Sequence, residues 1–68
     1  MIEITVNGNI SKLDEPTNIN EFLVLKGFEG RSVAVAVNSI VIRRASFSNT
    51  IINDGDVVEI VRPVGGGV

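Results

Sequence analysis

The 68-residue chain contains no histidine and no cysteine. That removes the usual general base, the commonest metal ligand and every thiolate nucleophile together. No serine stands with a base in a way that would build a triad, so the chain is read as no enzyme. Four carboxylates are candidates for a catalytic pair or a cation site. Asp54 and Asp56 flank Gly55, and Glu3 and Glu59 lie on strand-like stretches. A calcium loop needs about five further oxygen ligands, so Asp54-Gly55-Asp56 reads as turn chemistry. Arg43-Arg44 is the one adjacent basic pair, and such a pair more often closes an exposed turn than holds an anion. What remains is the run Val64-Gly65-Gly66-Gly67-Val68. Glycine has no Cβ, so a glycine strip can be threaded into a narrow groove and approached closely by another backbone.

The elements before that strip must hold it out. Ile2, Ile4 and Val6 alternate with Glu3 and Thr5, which predicts a strand with one buried face. Asn7-Gly8 is a strong hairpin signal, and the return strand is expected over Asn9 to Lys12 with Ile10 inward. Asp14-Glu15-Pro16 breaks the sheet. Asn18 is the expected N-cap of a helix, with Glu21 three residues on as in a capping box. Ile19, Phe22 and Leu23 form its apolar stripe. The helix should run from about Ile19 to Lys26, with Gly27 at the C′ position. Val33, Val35 and Val37 alternate with Ala34 and Ala36, giving another strand. Asn38-Ser39 reads as a turn and Ile40-Val41-Ile42 as a short strand. Phe47 is expected to plug the end of the core. Asn53 to Asp56 is a tight turn with Gly55 at positive φ, Val57 to Arg62 is the last strand, and Pro63 ends its ladder.

One helix can cover only one face of a sheet. The covered face should hold Ile2, Ile4, Val6, Val33, Val35, Val37, Val58 and Ile60. First and last strands that both read as buried belong side by side at the centre. The expected class is α+β, a β-grasp (ubiquitin-like) mixed sheet of four to five strands packed on one helix. Residues 1–63 form the domain and residues 64–68 a flexible glycine-rich tail.

Composition narrows the partners. Six basic and eight acidic residues give a net charge of −2, which argues against nucleic acid, since phosphate binding needs a basic patch. Hydrophobic residues make up 44% of the chain, enough for one compact core without disulfides or metals. The opening MIEITVNG lacks a basic stretch before a long apolar run, so no secretory signal is read. No run approaches the ~18 apolar residues of a spanning helix. The expected compartment is the cytoplasm, with no membrane partner.

The residues that carry a resemblance are Val35-Ala36-Val37-Asn38, Val41-Ile42-Arg43, the stretch from Asn53 through Val61, and Val64-Gly65-Gly66-Gly67. In that order they resemble the thiamine-biosynthesis sulfur carriers and, more loosely, the small subunit of molybdopterin synthase. The resemblance spans nearly the whole chain. Its most specific part is the Asp-Gly-Asp turn, a strand and a glycine run in succession. It implies that the terminal glycine is adenylated by an ubiquitin-activating-like adenylyltransferase, with ATP bound by that partner and no cofactor bound here. Sulfur, from a donor such as a cysteine desulfurase, then replaces the adenylate to give a thiocarboxylate, which is delivered to a thiazole synthase. Carried over by position, the attachment residue is Gly67, alternatively Gly66, and Val64, Gly65 and Gly66 are the tail that the partner recognises. The chain departs from the family by ending in Val68. A protease removes Val68 to expose Gly67, or Val68 is tolerated, or it is an addition to the natural chain. Ile42, before Arg43, stands where the family often has proline. Alternative readings are a molybdopterin-type or other thiocarboxylate carrier, and a β-grasp interaction or modifier module without sulfur chemistry.

The uncovered face of the sheet bears on how a partner docks. Ala34, Ala36, Val57 and Val61 should point away from the helix and, with Thr5, form a flat apolar surface. That surface is read as a docking patch, against the competing reading of ordinary exposed apolar area. Arg62, at the base of the tail, is added to it as a residue that steers the tail or pairs with an acidic partner group.

Overall fold

The computed structural model describes residues 1–28 and 32–62. The chain opens on β1 (Ile2–Val6) and β2 (Asn9–Leu13), an antiparallel pair. Asn7 and Gly8 join them at φ of 50° and 86°. Two residues at positive φ give a tight turn whose twist matches that of the strands. The turn sets Val6 opposite Asn9, Thr5 opposite Ile10 and Ile2 opposite Leu13. Side chains alternate faces with period 2, so Ile10 falls on the face away from the helix and is 70% exposed. The expectation that Ile10 points inward is thereby corrected. Leu13, one residue past the expected end of the strand, is the β2 residue that enters the core.

A two-residue strand, β3 (Thr17–Asn18), leads into helix α1 (Ile19–Leu25). Asn18 caps it as expected, its Oδ1 accepting the Glu21 N–H at 2.8 Å. The helix ends in a Schellman arrangement around Gly27, at φ 84°. There the Phe28 N–H donates to the Leu23 carbonyl at 2.8 Å and the Gly27 N–H to the Val24 carbonyl at 3.1 Å. A helix of 7 residues has little stability alone. It persists because Ile19, Phe22 and Leu23 are buried against the sheet.

β4 (Ala34–Val37) and β5 (Ile40–Ile42) form the second hairpin. A 3₁₀ turn over Arg44–Ser46 follows, then β6 (Ile51–Ile52) and β7 (Val57–Val61). The main sheet runs β2-β1-β7-β4-β5, with β1 and β7 parallel at its centre and the other neighbours antiparallel. This is the expected β-grasp arrangement, a mixed sheet of five strands over one helix. The small β3–β6 sheet has no counterpart in the sequence pattern. It brings in Ile52, which is fully buried, while Phe47 closes the end of the core as expected. The predicted inner set is buried, with Val6 partly so. The Asn53–Asp56 turn is stitched to the start of β1: the Glu3 N–H donates to Asp54 Oδ1 and the Gly55 N–H to the Glu3 carbonyl, both at 2.8 Å. Pro63 and the expected tail over residues 64–68 lie outside the described residues.

Candidate functional site

β7 determines the site because apolar residues stand on both of its faces. Val58 and Ile60 point at the helix and are buried. Val57 and Val61 point away and are 44% and 60% exposed. Register places their neighbours. Ala34 lies opposite Val61 and Ala36 opposite Glu59 on β4, while Val41 of β5 lies opposite Ala36. On the other side Val57 is opposite Thr5, and Thr5 opposite Ile10. The predicted residues Ala34, Ala36, Val57 and Val61 thus share one face, with Ala36 half-buried and the others exposed.

Sequence reasoning left two members out. Val41, 74% exposed, joins the face through β5. Ile10 joins through β2, on the side opposite to the one expected. Counting residues outward from the Asn7-Gly8 and Asn38-Ser39 turns finds both, since a two-residue turn determines which side chains share a face. A shallow depression of about 270 Å³ is sunk into the face between Ala34, Ala36, Val41, Glu59 and Val61. Glu59 is the charged residue of its lining. The surface suits an apolar partner that offers a cation to Glu59.

Arg62 follows β7 directly. Its guanidinium carbon lies 5.6 Å from the centre of the Phe28 ring, within cation–π range, and Phe28 packs on the core. Arg62 is therefore tethered next to the helix C-terminus rather than projecting freely. Of the other charged candidates, Asp54, Asp56 and Arg44 have partners. Asp56 Oδ2 accepts the Asn53 N–H at 2.8 Å and its Oδ1 accepts from Asn38 Nδ2 at 3.1 Å, in line with turn chemistry. Arg44 Nη2 donates to Ser32 Oγ at 3.3 Å. Among the described residues no group of three or more Asp and Glu is placed to hold a metal ion, and no helix is long and apolar enough to cross a membrane. Val64, Gly65, Gly66 and Gly67, the tail candidates, lie outside the described residues, as does Val68. The arrangement offers a surface to be gripped, at the root of the strand that leads into the glycines.

Comparison with known proteins bears on this surface. A family model described as the ThiS family matches residues 2–67. The chain is similar to the crystal structure of a thiamine biosynthesis protein (ThiS) from Geobacter metallireducens, with a TM-score of 0.83 and 39% identity, covering 97% of this chain and 100% of that one. It is 36% identical to the ycf40 protein of Porphyra purpurea, over 97% of this chain and 93% of that protein. It is also 30% identical to a segment of a thiazole synthase of Paramagnetospirillum magneticum, over 97% of this chain but 20% of that protein.

Proposed function

The chain belongs to the ThiS family, and on that premise we propose that it is a sulfur carrier whose C-terminal glycine bears the sulfur as a thiocarboxylate for thiazole formation in thiamine biosynthesis. The observation that carries the reading is an apolar, uncovered sheet face at the root of a strand that leads into three successive glycines. The domain supplies the grip and the tail supplies the reacting group. A free carboxylate is a poor electrophile at neutral pH. An activating partner of the ubiquitin-activating type joins it to the adenylyl group of ATP and releases pyrophosphate. A sulfur donor then displaces AMP from the acyl carbon. The carrier binds no cofactor itself; ATP belongs to the partner.

Glycine suits this passage. An extended tail without Cβ atoms enters a slot that admits little more than backbone. Ordering it costs about 1–2 kcal/mol per residue, which docking of the domain through Ala34, Ala36, Val57 and Val61 offsets, with Arg62 acting from beside the helix C-terminus. We place the sulfur on Gly67, after a protease has removed Val68, with Val64, Gly65 and Gly66 lying in the slot. The end of the family match at residue 67 supports that choice. The similarity to part of a thiazole synthase and to a thiamine biosynthesis protein favours a thiazole synthase as receiver over a molybdopterin enzyme. The cycle is assigned to the cytoplasm.

The test is mass spectrometry of the Gly67-ended chain after incubation with its activating enzyme, ATP and a sulfur donor. The expected mass gain is the difference between one sulfur and one oxygen, located on the C-terminal fragment. An unchanged mass alongside an enzyme that thiolates another carrier rejects the reading. A gain on the Val68-ended chain rejects the choice of Gly67.

A further inference from the structure

The strand that leads into the tail is gripped at each end by an asparagine side chain from a neighbouring hairpin turn. At its start, the Asn38 N–H donates to the Val57 carbonyl at 2.7 Å and Asn38 Oδ1 accepts the Val57 N–H at 2.9 Å. Toward its end, on the opposite edge, the Asn7 N–H donates to the Val58 carbonyl at 2.9 Å. Asn7 Oδ1 then accepts the Ile60 N–H at 2.8 Å, and Asn7 Nδ2 donates to the Ile60 carbonyl at 3.2 Å.

The second grip replaces a strand. The parallel pairing of β1 with β7 ends at Val6 and Val58, because the chain turns away at Asn7-Gly8. Ile60 would be left with an unpaired N–H and carbonyl on that edge. A carboxamide carries one acceptor and a donor pair in the same plane, like a peptide group, so the Asn7 side chain continues the ladder by one more step. Both of its bonds are partly buried, where they are worth more than in water. Backbone groups alternate edges along a strand, so Arg62 is the next residue facing that side, and the tail begins just after it. Among the described residues, Asn7 is the last hydrogen-bonded anchor on that edge of β7. Positive φ at Asn7 and Asn38, 50° and 52°, means that glycine fits either backbone while deleting the grip.

We propose that Asn7 is a positioning residue for sulfur loading: its carboxamide clamps Ile60 on the β1 side of β7, whose other edge is paired with β4 as far as Val61, and so holds the direction in which the chain leaves the strand. This rests on the sulfur-carrier reading above. Releasing the clamp frees the β1-side edge at Ile60 and leaves the end of β7 held from β4 alone, so it must be ordered again each time a partner binds the residues after it. That cost falls equally on the bound ground state and on the transition state, so it appears in KM and not in kcat.

The experiment measures carrier-dependent ATP–pyrophosphate exchange by the activating enzyme, well below the melting temperature, with the wild-type chain, Asn7→Gly and Asn38→Gly. Amide hydrogen exchange is followed on the same three proteins. In Asn7→Gly the Ile60 amide should exchange faster, and KM for the carrier should rise about fivefold or more with kcat unchanged. Asn38→Gly, which loses the matching grip at the far end of the strand, should speed exchange at Val57 and leave KM within about twofold. Asn7→Asp keeps the acceptor for the Ile60 N–H and should fall between wild type and Asn7→Gly. An unchanged KM in Asn7→Gly, or an equal rise in Asn38→Gly, overturns the positioning role, the latter because it would mark a general loss of stability. An inert wild-type chain would instead remove the sulfur-carrier reading on which the proposal stands.

Discussion

Valine and isoleucine stand on both faces of the one sheet and meet opposite fates. On β7, Val58 and Ile60 are sealed beneath the helix while Val57 and Val61 stand in the open. On β4, Val35 and Val37 are buried and Ala34 is exposed. An antiparallel sheet with one wet face ordinarily alternates apolar with polar residues. Here the outer positions of β7 keep valines on either side of Glu59, and β2 and β5 add Ile10 and Val41. The inner face is apolar because folding needs it. The outer face keeps apolar residues among Glu3, Thr5, Lys12 and Glu59 without that need, which is the ground for proposing it as a docking face.

Substitutions should separate the two faces. Phe22 is fully buried, and Phe22→Ala should cost about 3–5 kcal/mol. That is comparable to the entire stability of a domain this small, so denaturant titration should find the variant largely unfolded. Cooperative unfolding close to wild type would mean the helix is not what covers the inner face. Val61→Asp, on the outer face, should change stability by less than about 1 kcal/mol. It should weaken binding to the activating partner at least ~10-fold, equivalent to ~1.4 kcal/mol, in a calorimetric or surface-binding titration. Loss of fold with retained affinity would reverse the assignment of the two faces. Asn18→Ala removes the helix cap and should cost about 1 kcal/mol, seen as a lower denaturation midpoint with unchanged partner affinity. Ile10→Thr should shift stability by less than about 0.5 kcal/mol. A loss of several times that amount would restore Ile10 to the core and undo the register of the first hairpin.

Much of this was legible residue by residue. Asn7-Gly8, Asn18 with Glu21, Gly27 and Gly55 each announce a local geometry that the backbone then adopts. Such signals act within a few residues, and their chemistry is complete on the spot. Phe47 could be placed because it stands alone among polar residues. Ile52 could not, since a two-residue strand has no period to read, and its burial depends on pairing with Thr17. Of the candidate site, Ala34, Ala36, Val57 and Val61 followed from alternation. Ile10 did not, because it is the lone apolar residue of its stretch before Leu13, and only the count from the turn assigns its face.

The sequence by itself determined the alternation, the turns, the helix caps and the family to which the chain belongs. Those rest on short-range sterics and on hydrogen bonds between near neighbours. The tertiary structure decided which apolar face of β7 is covered, which edge β1 takes beside it, and that a turn asparagine completes the ladder at Ile60, 53 residues away. Period 2 divides a strand into two faces but does not say which one the helix will meet. Only closure of the whole chain around one core makes that choice.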